Sequence, residues 1–150
     1  MMDTIRIIKS LFNISNAPKF RKPAFENSVN VRFGYAYAAN GISLVRISFP
    51  FVMERGFTDW ESIVYDEKTR KYGFEDANAT YRLDEMIEYP SKPEYGFSAF
   101  NPVELARILR VFSACEVNSI ITVMQDHYML LEAYDSKKEV CITAKLMGMG

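Results

Sequence analysis

Apolar positions along this chain switch between a helical and a strand period, and the switches divide it. From Thr4 to Ile14, Ile5, Ile8 and Phe12 fall on one helical stripe that Leu11 widens. Arg6, Lys9 and Asn13 occupy another face at i, i+3, i+7. The β-branched Ile5, Ile7 and Ile8 would also suit a strand, and Asn16-Ala17-Pro18 ends the segment. From Ser28 the period becomes two. Val29, Val31 and Phe33 alternate with Asn30 and Arg32, and Tyr35 and Tyr37 continue the pattern. Asn40-Gly41 then supplies a pair suited to a type I′ turn, which requires φ > 0 at both central residues. Ile42 to Phe49 is the return strand, and Pro50 closes it.

The next stretch is less regular. Trp60 to Tyr65 reads as a strand, Asp66 to Thr69 as a turn and Lys71 to Phe74 as the return. Asp76-Ala77-Asn78 makes another turn, and Thr80 to Leu83 reads as a short strand. Tyr89-Pro90-Ser91-Lys92-Pro93 is an extended linker, since each Pro fixes its own φ and restricts the residue before it.

A second helix follows with clear start signals. Asn101 suits the N-cap, Pro102 the first helical position, and Glu104 the acid of a capping box. Leu105, Ile108, Leu109 and Phe112 form its apolar stripe, and Arg107 and Arg110 share a solvent-side face. Three β-like runs close the chain: Ser119 to Met124, Tyr128 to Tyr134 and Glu139 to Leu146. Polar turns at Gln125 to His127 and Asp135 to Lys138 separate them. The expected fold is therefore α+β, with two helices packed on antiparallel sheets. One domain covers residues 1–150, in two helix-plus-meander halves of about 1–88 and 89–150. No residue-level repeat links the halves.

Length agrees with one domain: 150 residues can bury a single core. The net charge of −1 excludes a basic nucleic-acid binder by composition, although a local patch can still act. No apolar run approaches the roughly 18 residues a membrane span needs. The N-terminus lacks a signal-peptide plan, so a cytoplasmic protein is expected. Cys115 and Cys141 then read as reduced core thiols.

Candidate chemistry is sparse. Carboxylates abound between Asp59 and Glu88, but none stands at a spacing that demands a metal or an acid/base pair. There is no phosphate loop and no nucleophile-elbow motif. His127 is the single histidine and lies in a turn, so zinc ligation has no support. The expectation is a protein that is not an enzyme and takes no cofactor or metal. Lys19, Arg21 and Lys22 form a loop cluster, either solvated or in contact with an anion. The aromatics at strand spacing fill a core, while a subset near Arg32 and Arg46 could stack nucleic-acid bases.

Four stretches together resemble the DNA sliding clamps, the family of the bacterial polymerase III β subunit and the eukaryotic proliferating-cell antigen. Tyr37 to Val45 looks like the clamp hairpin, with a polar residue plus Gly and an apolar return. Glu88-Tyr89-Pro90-Ser91 looks like the segment ahead of a clamp domain's second helix, and Val103 to Phe112 is similar to that helix. Lys145 to Gly150 looks like the Met-Pro-Met-Arg tail of the bacterial subunit, with Gly148 in place of Pro and Gly150 in place of Arg. Residues 51–83 have no clear match.

The resemblance implies a DNA-replication accessory that binds duplex DNA without sequence preference and docks replication proteins through short peptides. Arg6, Lys9, Arg107 and Arg110 would face the DNA; the other reading makes them ordinary solubilising residues. Met147 and Met149 would line a partner-binding cleft; the other reading is a frayed terminus. A chain of this length would encircle DNA only as a homo-oligomer, a hexamer. The alternative is a clamp-fold interaction module, of phage or mobile-element type, that does not encircle DNA.

Overall fold

The computed structural model describes residues 3–16, 28–77, 82–89, 99–134 and 141–149. Helix α1 spans Thr4–Ser15, starting at Asp3, whose carboxylate accepts the Arg6 backbone N–H at 3.3 Å. Its buried side is Ile7, Ile8, Leu11, Ile14 and Ser15. That stripe is rotated from the expected one and leaves Ile5 exposed. The helix carries more apolar residues than one face can seat, and the face richest in them wins.

Helix α4, Pro102–Ala114, starts as its sequence predicts: the Asn101 side chain accepts from Val103 N–H at 2.9 Å and Glu104 N–H at 3.2 Å. Its buried face is also rotated. Ile108, Val111 and Phe112 face the core, Leu109 is 39% exposed, and Glu104 is fully buried. Glu104 is thus no capping-box acid; its carboxylate has turned inward. Arg6 Nη2 donates to Ser113 Oγ at 3.5 Å, near the end of α4. Asn40 bridges Ile14 near the end of α1 and Glu104 in the first turn of α4. The two helices therefore run antiparallel.

Eight strands form one antiparallel sheet: β1 (Asn30–Arg32), β2 (Tyr35–Ala39), β3 (Ser43–Ser48), β4 (Glu61–Asp66), β5 (Lys71–Asp76), β6 (Ile121–Met124), β7 (Tyr128–Tyr134) and β8 (Cys141–Met147). The spatial order is β5-β4-β1-β2-β3-β8-β7-β6. Two short helices, α2 (Pro50–Met53) and α3 (Leu83–Glu88), complete the described elements. The expected two helices packed on antiparallel sheets thus become, among the described residues, four helices and a single sheet. The β3–β8 ladder makes it continuous, pairing Ser43 with Leu146 through to Ser48 with Cys141.

Strand alternation sorts residues onto the two faces. Ala36, Ala38, Val45, Ile47, Leu131, Ala133, Ile142 and Ala144 pack with α1 and α4 in the main core. Tyr37, Ala39 and Leu44 form a second cluster with Leu83 and Ile87 of α3 on the opposite face.

The expected long strand from Val29 to Ala39 is two strands. Phe33 at φ +53 and Gly34 at φ +78 make a tight two-residue turn, so β1 folds back on β2. At the next turn Asn40 does not take positive φ; Gly41 does, at +97. The turn centres on Gly41-Ile42, with Asn40 N–H donating to Ser43 O at 3.2 Å. The Asn40 side-chain oxygen accepts from Ile42 N–H at 3.1 Å and Ser43 N–H at 2.9 Å. Its amide thus does the work expected of a left-handed backbone. The β4–β5 hairpin lies where its pattern predicts. Leu83, expected to end a strand, begins α3. The Lys19, Arg21 and Lys22 cluster, the linker from Pro90 to Pro93 and the Asp135 to Lys138 turn lie outside the described residues.

Candidate functional site

An open groove of about 340 Å³ lies on the face of the sheet opposite α1 and α4. Three parts of the chain build it. The β2–β3 tip contributes Gly41, Ile42 and Leu44, α3 and its end contribute Met86 and Tyr89, and β7–β8 contribute Tyr128, Lys145 and Met147. Leu83 and Ile87 anchor α3 on Tyr37, Ala39 and Leu44, which leaves Met86 exposed toward the groove. Tyr128 and Met147 are register partners, so both point to the groove side.

The hairpin tip is held from below. Glu104 Oε1 accepts from Asn40 Nδ2 and from Ser43 Oγ, the latter at 3.0 Å. Asn40 Nδ2 also donates to Ile14 O at 3.3 Å. Arg107 donates to the other carboxylate oxygen of Glu104. A fully buried carboxylate thus has three partners, as an interior charge requires.

The tail is tied down through Met149, so the frayed-terminus reading fails over this stretch. Met147 N–H donates to Ile42 O at 2.9 Å, Gly148 N–H to His127 O at 2.7 Å and Met149 N–H to Ala99 O at 2.8 Å. Gly148 suits its place better than the Pro of the resembling tail. A proline would lose the donor to His127, and even a Cβ would stand 3.3 Å from the His127 carbonyl oxygen. The two methionines part company: Met147 lines the groove, whereas Met149 is 57% exposed and does not line it.

Lys145 is the one charged side chain nearly closed off in this region, 9% exposed on strand β8. Its ammonium donates to Met86 O at 3.2 Å, Tyr89 O at 3.0 Å and Tyr128 Oη at 3.4 Å. It also lies 4.6 Å from the centre of the Tyr128 ring. Sequence reasoning missed this group, together with Ile42, Leu44, Met86 and Tyr128. The available signal was a single lysine inside the apolar run of Cys141 to Met147.

On the opposite side, Arg6, Lys9 and Arg110 are exposed on α1 and α4. Arg107 stands apart from them: its side chain is 20% exposed and it is committed to Glu104. The arginines near aromatic rings are committed too. Arg32 lies 4.8 Å from the Phe33 ring centre and 5.5 Å from that of Trp60, and pairs with Asp84 at 3.4 Å. Arg46 lies 4.7 Å from the Tyr35 ring centre and pairs with Glu88. Burial is the largest single influence and works against the Arg46 charge, but the Glu88 hydrogen bond and charge, with the Tyr37 and Tyr35 phenols, together outweigh it and hold the guanidinium above its ordinary pKa.

Among the described residues no group of three His, Cys, Asp or Glu side chains could hold a metal ion, and His127 is exposed. No helix among them is long and apolar enough to cross a membrane. No family model matches this chain, and neither does any curated protein or solved structure. The fold and site define an α+β domain with an apolar, methionine-edged groove on one sheet face and a helix pair on the other.

Proposed function

We propose that this chain is a non-enzymatic interaction domain of sliding-clamp type, whose groove docks short peptides of partner proteins. The carrying observation is the convergence of the β2–β3 tip, α3 and Met147 on one largely apolar groove of about 340 Å³. Methionine side chains adapt to varied apolar anchors, and Met86 and Met147 edge this groove. The resemblance of the hairpin and tail to the clamps points to the same place. So does topology. The meanders β1–β3 and β8–β6 lie edge to edge across β3–β8 beneath an antiparallel helix pair, which suits duplicated clamp-like halves.

One observation favours a second reading, contact with duplex DNA by a replication accessory. Arg6, Lys9 and Arg110 are exposed on the helix pair, and sequence-independent binding asks only for phosphate neutralisation. Three such cations per chain are few, so this reading needs a homo-oligomer. The edge strands β5 and β6 would carry the subunit contacts.

Two measurements test these readings. In the first, a random-peptide display library is selected on the wild-type chain. Enriched peptides that release from Met86→Glu and Ile42→Asp but still bind Arg110→Glu support the groove. No enrichment, or binding indifferent to both groove substitutions, overturns it. In the second, light scattering gives the mass with and without duplex DNA. A monomer unchanged by DNA overturns the encircling reading and leaves the interaction module.

A further inference from the structure

We infer that the occupant of this groove presents an aspartate or glutamate side chain to Lys145, beside the apolar residues that fill the groove. The inference rests on the groove reading above and names the chemistry of the partner.

The charge balance around Lys145 carries it. An ammonium has three N–H donors, and here all three go to neutral oxygens: the Met86 and Tyr89 carbonyls and the Tyr128 hydroxyl. Its hydrogen bonds are made, but its charge is not matched. Among the described residues no carboxylate lies within ion-pair distance of it. The nearby acids are spent elsewhere. Asp84 pairs with Arg32 at 3.4 Å, Glu85 with Arg82 at 3.4 Å, and Glu88 with Arg46. Glu132 shares the face but stands opposite Thr143, in the next same-face pair along from Leu130 and Lys145. The groove wall therefore holds one nearly closed-off ammonium among Leu44, Met86 and Met147; the Arg82 and Glu85 side chains that also line the groove are exposed and paired with each other. Such a charge is costly alone and gains strongly from an anion.

A place for that anion exists. The longest of the three bonds is the one to Tyr128 Oη, at 3.4 Å, and the same hydroxyl donates to Tyr89 O at 3.4 Å. The phenol is a weak acceptor at the groove lip, and a carboxylate from the groove can replace it on Nζ. The anion comes from a side chain and not from a chain terminus. A terminal carboxylate is normally held by a nest of backbone N–H groups. At the β2–β3 tip and the tail, the N–H groups that could build such a nest are taken: those of Ile42 and Ser43 by Asn40 Oδ1, and that of Met147 by Ile42 O.

The test uses the full chain and the peptides that display selects on it. Groove-dependent peptides, recognised by release from Met86→Glu, are expected to carry Asp or Glu next to apolar residues. Replacing that acid by Asn or Gln is expected to weaken binding to the wild type about tenfold, the scale of one charge-assisted hydrogen bond. On Lys145→Met, which keeps the side chain's volume, the same replacement is expected to change nothing. If Lys145→Met does not fold, Lys145→Arg and ionic strength take its place: the acid-dependent share of affinity must persist in the arginine variant and fall as salt rises. Groove-dependent peptides without an acid overturn this inference and leave the groove reading standing. An acid effect equal in wild type and Lys145→Met does the same. No groove-dependent peptide at all overturns the groove reading and this inference together.

Discussion

Asn40 and Glu104, 64 positions apart, share a side-chain hydrogen bond beneath the tip of the β2–β3 hairpin. The bond ties a turn at the groove to the first turn of α4, and through Ile14 O to the end of α1. Glu104→Ala strips Asn40, Ser43 and Arg107 of a shared partner. We expect it to cost about 3 kcal/mol of stability, with Glu104→Gln milder because it keeps one acceptor. Urea unfolding measures this. Asn40→Ala and Glu104→Ala together should cost less than the sum of the two, since each removes part of one network. Strict additivity would mean that the two residues act independently.

The Phe33-Gly34 turn stores backbone strain in an exposed place. Phe33 takes φ +53 while 55% of its surface is exposed. A non-glycine residue pays roughly 1 kcal/mol there. Phe33→Asn should relieve most of this and forfeit the Arg32 contact, worth about 0.5 kcal/mol, for a small net gain in stability. Gly34→Ala should lose roughly 1–2 kcal/mol, because φ is +78 there. The added Cβ would meet Met53 Cα at an ordinary 3.5 Å, so crowding contributes little. Thermal unfolding of the two variants should therefore move in opposite directions.

The same residues show how far the sequence could be read. Both long helices, the β4–β5 hairpin and the closing meander follow from period and turn chemistry, and they form where expected. Phe33-Gly34 was hidden because a bulky aromatic is a poor marker of a left-handed turn, so alternation ran through it. Glu104 fits a capping box by spacing, and only its tertiary partners reveal that it faces inward. Helix α3 is a single short stretch whose burial depends on Tyr37, Ala39 and Leu44, far away in sequence. Of the groove, Met147 was legible from the tail. Met86, Tyr128 and Lys145 were not, because their meeting depends on the register of β7 with β8 and on where α3 docks.

Alkaline pH should find a weak point in the core. Burial pushes the Cys115 thiol from its ordinary 9.0 up to about 12, and the Tyr37 phenol from 10.0 to about 12. Both groups hold their protons more tightly in the folded chain. Their contribution is therefore fully present below about pH 9 and is lost as pH rises from 9 toward 12. The urea midpoint should be insensitive to these groups below pH 9 and fall above it. Cys115→Ala should start lower, through its small cavity, and fall less steeply. A thiol reagent at pH 8 should modify half-buried Cys141 well before buried Cys115. Equal rates would show that the core around Cys115 opens readily.

The four basic residues of the helix pair should separate into two kinds. Arg6, Lys9 and Arg110 are exposed, so Arg110→Glu and Lys9→Glu should leave stability within about 0.5 kcal/mol of wild type. Arg107→Ala removes the cation from a fully buried Glu104 and should cost about 2–3 kcal/mol. If the helix face meets duplex DNA, the exposed residues carry the electrostatics. Each neutralised phosphate adds about 0.9 to the slope of log affinity against log salt, so losing Arg110 should flatten that slope by about 1 per chain in contact. Arg107 should hardly change the slope, because its charge is already engaged by Glu104. The decisive comparison is Arg107→Ala, measured for both DNA affinity and urea midpoint. A drop in affinity with an unmoved midpoint would make Arg107 a DNA contact after all. A drop in midpoint with an unmoved slope would make it part of the scaffold that holds the groove on the other side of the sheet.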